Sequence, residues 1–97
     1  MRFVWDEQKN QTNIAKHGLS FADAFRVFEH PILVNIDDLQ EYGEDRWIGI
    51  GLMNMRVVVI VFSEPDENTI RIISFRKAIG DERKRYERAY QDGFKSP

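Results

Sequence analysis

Cysteine is absent from this sequence. That excludes disulfides, thiolate nucleophiles and cysteine-held metals together. Long apolar runs are missing too: the longest, Val57 to Phe62, spans six residues, against the roughly 20 that a membrane-crossing helix requires. The residues after Met1 carry no signal-peptide pattern, so a cytoplasmic protein with no membrane partner is expected. Histidine is scarce. His17 and His30 have neither cysteine neighbours nor an HExxH arrangement, and no metal site is expected. No Walker or GxGxxG sequence occurs, and the alternating Gly49 and Gly51 lie in a strand-like stretch, so no cofactor is expected. Without a recognisable serine triad, covalent acyl transfer has no support either.

What is present indicates a globular chain. Ninety-seven residues, 42% hydrophobic and 31% charged, suit a single domain over residues 1–97 with one core. "RFVW" is a short β-like segment, and Asp6 follows as an N-cap for a helix from Glu7 to about His17; Gly18 supplies the left-handed position that ends it. Ser20 caps a second helix, whose buried face is expected at Phe21, Ala24, Phe25 and Phe28, and Pro31 stops it. The segments "ILVNI", "RWIGIGLM", "MRVVVIVF" and "TIRIISF" are rich in β-branched residues, with turn signals at Gly43, Asn54 and "EPDEN" between them. Connections this short predict an antiparallel meander. From Ile79 the chain turns helical again, with Ile79, Tyr86, Ala89 and Tyr90 on one face. The expected fold is therefore α+β, ordered β-α-α-β-β-β-β-α, with the helices packed on one face of a twisted, mainly antiparallel sheet.

Charge is distributed unevenly. The net charge is −2, yet residues 1–19 carry +1, residues 20–70 carry −7 and residues 71–97 carry +4. An acidic face from the 37–45 loop and the 64–67 turn, and a basic face from the last strand and helix, are expected. Interleaved acids at Asp81, Glu82 and Glu87 also permit a plainer reading of the basic helix as solvated surface. Against it, Arg71 and Arg76 lie on a strand whose other residues are largely apolar, and their odd separation predicts opposite faces. Arginines held on a rigid element suit phosphate, and Trp5, Trp47, Tyr86 and Tyr90 can stack on unpaired bases beside them.

Acid–base chemistry on an anionic substrate is what remains. RNA suits it, because its own 2′-OH is the nucleophile and the protein supplies only a base, an acid and cations. His17 is the attractive titrating group, with Lys16 beside it; its alternative role is to complement the dipole at the end of the first helix.

The stretches "FVWDEQKNQTNIAKHGLSFADAFRVF", "DRWIGIG", "VVVIVFSE" and "IRIISFRKAIGDERKRYE" resemble the BrnT family of toxins from type II toxin–antitoxin pairs, over residues 3 to 87. Trp5, Asp6, Lys9, Asn13, Lys16, His17 and Gly18, then Arg46, Gly49 and Gly51, then Arg71, Ser74, Arg76, Ala78, Glu82, Arg83 and Tyr86 carry the likeness. The resemblance implies a RelE-like fold and a ribonuclease that arrests translation. It also implies neutralisation by a BrnA-type ribbon-helix-helix antitoxin in a two-to-two heterotetramer, with DNA reached only through that partner. His17, Lys16, Arg76 and Arg83 are the expected catalytic residues, and Arg71, Arg46, Lys9, Tyr86 and Trp5 the expected contacts to RNA. The competing readings are a non-catalytic module acting as co-repressor with a DNA-binding antitoxin, and a structural adaptor.

Overall fold

Val57 to Phe62 is apolar at every position, which suits a strand buried on both faces. The computed structural model describes residues 1–36 and 45–93. Its elements are β1 (Arg2–Val4), α1 (Glu7–His17), a 3-10 helix η1 (Phe21–Glu29), β2 (Leu33–Ile36), β3 (Trp47–Met53), β4 (Arg56–Asp66), β5 (Thr69–Lys77) and α2 (Gly80–Gln91). The five strands form one mixed sheet in the order β1-β5-β4-β3-β2, with the apolar run on central β4. Strands β2 to β5 are antiparallel neighbours, and β1 joins β5 in parallel at the edge. The expected acidic loop lies, apart from Asp45, outside the described residues. Among the described residues, no helix is long and apolar enough to cross a membrane.

Both faces of the sheet are covered, which corrects the expectation of helices on one face. Alternate residues of β4 divide the core in two. Val58, Ile60 and Phe62 meet Phe21, Ala24 and Val27 of η1. On the opposite face, Val59 and Ile50 meet Tyr86 of α2 and Ala78. The η1 face also departs from the predicted one: Phe21, Ala24 and Val27 are buried, whereas Phe25 is 41% exposed. Three residues per turn put i, i+3 and i+6 in line, so the apolar stripe follows 3-10 geometry. Close approach of this helix requires glycine below it. A Cβ on Gly51 would come within 2.7 Å of Val27 Cγ1, and one on Gly49 within 2.9 Å of Ile32 Cγ2.

Local chemistry accounts for α1. Asp6 is extended and its carboxylate accepts from the Lys9 amide at 3.0 Å, while Gly18 at φ 71° lets its own amide return to Ile14 O. The helix buries two polar residues, Asn10 and Asn13. Asn10 Oδ1 accepts from the Phe21 amide at 2.8 Å and so ties η1 to α1.

Candidate functional site

Strand β5 contains one residue too many for its partner. Val61 pairs with Ser74 and Phe62 with Ile72, leaving Ile73 as a bulge. The extra residue resets the alternation, so Ile72 and Phe75, three apart, both enter the η1-side core. Arg71 and Arg76 consequently share the other face, opposite Ser63 and Val59, which overturns the expectation drawn from their odd separation.

Along this part of β5 runs α1, and between them lies a groove. It consists of two adjoining depressions of about 470 and 490 Å³ that share Asp6, Lys9 and Ile73. Lys16, His17, Asn13 and Ser74 line one end. Trp5, Arg46 and Arg71 line the other. Lys9, Lys16 and His17 project into it from α1 because four- and three-residue steps return to the same helix face. Lys9, Lys16 and Arg71 are exposed, and His17, Arg46 and Trp5 half-buried. The Trp5 indole donates to Glu7 Oε1 at 3.2 Å, fixing the ring beside the first turn of α1. Glu7 also accepts from the Asn10 and Gln11 amides, and these bonds, Asn10 foremost, hold its carboxyl below the usual range. Arg71 borders a third depression of about 560 Å³, toward Trp47 and Ser63.

Six of the expected residues therefore meet in one place: Trp5, Lys9, Lys16, His17, Arg46 and Arg71. The other three lie with α2. Arg76 makes a bidentate pair with Glu82, Nη1 to Oε1 and Nη2 to Oε2 both at 2.8 Å, and Glu82 Oε1 accepts from the Ile79 amide at 2.8 Å. One carboxylate thus caps α2 and fastens it to β5. Arg83 is exposed in the same helix, with Nη1 3.5 Å from Ala78 O. Tyr86 was expected to stack on a base, but it is 2% exposed and its hydroxyl donates to Pro31 O at 3.0 Å. Desolvation pushes that hydroxyl above its ordinary pKa. Tyr86 is the buried residue of α2, whereas Tyr90 and the N-cap Ile79 are 58% and 61% exposed.

Asn13, Ile73 and Ser74 also line the groove, and residue type alone did not nominate them. The available signal for Asn13 was asparagine in mid-helix, where its propensity is poor without a tertiary partner. Among the described residues, no group of three or more His, Asp or Glu side chains could hold a metal ion.

Residues 5–82 match the model of a family described as the ribonuclease toxin BrnT of type II toxin–antitoxin systems. Among solved structures, the chain is similar to the crystal structure of the Brucella abortus ribonuclease toxin BrnT. Identity is 32%, the match covers 82% of this chain and 99% of that one, and the TM-score is 0.65. Comparison with curated proteins gives no match.

Proposed function

Because the chain belongs to the BrnT family of ribonuclease toxins of type II toxin–antitoxin systems, we propose that the groove between α1 and β5 binds and cleaves single-stranded RNA. The observation that carries this reading is the convergence of Lys9, Lys16, His17 and Arg71 from two elements on one open groove. Arg71, Arg46 and Lys9 hold phosphates as fixed cations. Trp5 offers a ring face to a neighbouring base. His17 exchanges the proton of the attacking 2′-OH or of the leaving oxygen, and Lys16 steadies the charge that develops on the phosphate. Arg76, bound to Glu82, keeps α2 in place, and Arg83 adds long-range attraction rather than contact.

Attack by the 2′-OH breaks the bond to the 5′ oxygen of the next nucleotide. The products are a 2′,3′-cyclic phosphate, or the 3′-phosphate from its hydrolysis, and a 5′-hydroxyl. The nucleophile belongs to the substrate, so no divalent ion is required. In this reading the cleavage inhibits translation, the fold is of RelE type, and a BrnA-type ribbon-helix-helix dimer recruits two toxin chains and covers the groove.

An RNA carrying one 2′-deoxy nucleotide at the cleavage point should bind and remain intact, and chelator should leave the wild-type rate unchanged. His17→Ala should lower the rate by about 10²-fold if the imidazole moves the proton. Cutting at the deoxy position, or loss of activity with chelator, overturns the mechanism. RNA that survives intact while the protein still represses with its antitoxin would instead establish the co-repressor module.

A further inference from the structure

Strand β1 covers the outer edge of β5 only at Thr69, Ile70 and Arg71. Beyond Arg71 this outer edge runs on to Lys77, past the bulge at Ile73, and among the described residues no strand pairs with it. At Phe75 that edge is closed by one side chain. Asn13 Nδ2 donates to Phe75 O at 2.8 Å, and the Phe75 amide donates to Asn13 Oδ1 at 3.2 Å. These two bonds reproduce the reciprocal exchange between paired residues of antiparallel strands. The second Nδ2 hydrogen goes to Leu19 O at 2.8 Å, so both donors of the amide are engaged in a residue 7% exposed.

We propose that Asn13 is the positioning residue of the groove, a side-chain substitute for a missing strand residue that fixes the cationic face of α1 against the β5 bulge. The inference rests on the ribonuclease reading above. Lys9 lies four residues before Asn13, and Lys16 and His17 three and four after it, so all share its face. At about 1.5 Å rise per residue these groups sit only about 5–6 Å along the axis from the fixed point. A tilt of α1 by about 10° carries their tips through about 1 Å, a misplacement that can cost about 10²-fold in rate. Few other side chains can take this place. Aspartate lacks the donors, alanine lacks both functions, and glutamine is a methylene too long.

The test uses N13D and N13A at a temperature where circular dichroism shows both folded. A carboxylate at this position faces two carbonyl oxygens, and its protonation returns one donor. Both variants should lose about 30- to 100-fold in kcat, with KM rising by less, since Lys9 shifts with the helix while Arg46 and Arg71 stay in place. On lowering pH from 8 to 5, the N13D-to-wild-type ratio of kcat should rise by about ten-fold, while that of N13A stays flat. Hydrogen exchange at the Phe75 amide should accelerate in both, with the inner amides of β4 still protected. Unchanged kcat in either folded variant, a loss confined to KM, or an N13D ratio flat with pH overturns the proposal. If N13D does not fold, N13S, which retains a single hydroxyl, is read for kcat, KM and Phe75 exchange in its place. Wild-type protein that cleaves no RNA defeats the ribonuclease reading, whereas a Phe75 amide no faster in N13A than in wild type defeats the edge-closing role itself.

Discussion

Replacing Glu82 by glutamine preserves the shape of the side chain and removes the charge that accepts from Arg76 Nη1, Arg76 Nη2 and the Ile79 amide, each at 2.8 Å. Hydrogen bonds to a charged group contribute about 1.5–3 kcal/mol each when well sheltered. Here the Glu82 side chain is 17% exposed and that of Arg76 34%, so water screens part of the gain. Glutamine also retains one acceptor. A net loss of about 1.5 kcal/mol at pH 7 follows, lowering Tm by about 6–12 °C for a domain of this size. The dependence on pH is the sharper test. Arg76, chiefly by its hydrogen bonds, holds the Glu82 carboxyl below the usual range despite desolvation, and the Ile79 amide assists. A carboxyl depressed in the folded state stabilises fully above its unfolded pKa of about 4.3 and stops doing so as pH falls through the lower folded value. Arg76 remains charged throughout and adds no slope. Denaturant unfolding of wild type and E82Q should therefore show the full gap at pH 7 and a much smaller one near pH 3. A double-mutant cycle with Arg76→Ala should give a coupling above about 1 kcal/mol at pH 7. An equal gap at both pH values, or a coupling near zero, would refute the lock and return Arg76 to the groups available for phosphate.

Gly51→Ala should destabilise the protein by about 1–3 kcal/mol, since its Cβ meets Val27 Cγ1 at 2.7 Å. Adding Val27→Ala should recover part of that loss in thermal melts, and an unchanged melt for G51A would disprove the close approach. For RNA affinity, three phosphate contacts from Lys9, Arg46 and Arg71 predict a slope of about −2 for log affinity against log salt. Lys9→Ala should reduce its magnitude by about 0.7, and a salt-independent affinity would sink the assignment.

Legibility from sequence followed the range of the determining interaction. Asp6 and Gly18 act within one turn of the helix they bound, so both ends of α1 could be read from residues 6 and 18. In η1, a pattern containing Phe25 and Phe28 suggested α-helical spacing, whereas the buried stripe of Phe21, Ala24 and Val27 follows three residues per turn, with Val27 packed over Gly51 of the sheet. The covering of both sheet faces was missed, although the six-residue apolar run of β4 is compatible with it. The faces of Arg71 and Arg76 depended on a bulge that no residue of "RIISFR" announces. Lys16, His17 and Arg71 could be nominated by residue type, because cations and an imidazole state their chemistry openly, whereas Lys9 was named only through the family resemblance. Tyr86 misled for the converse reason: an aromatic ring serves a core as readily as a base, and its contact to Pro31 spans 55 residues.

The bonds between Asn13 and Phe75 join positions 62 residues apart, and Arg2 to Val4 pair with Thr69 to Arg71. A chain emerging from the ribosome therefore presents the lysines and histidine of α1 long before the strand they face. An isolated helix of 11 residues is marginal in water, so α1 itself gains most of its order on docking. At about 5–20 residues per second, roughly 3–12 seconds separate synthesis of Asn13 from that of Phe75. During that interval the nascent chain has no assembled groove. Because these contacts span so much of the chain, the groove can assemble only after nearly all of its residues have been synthesised.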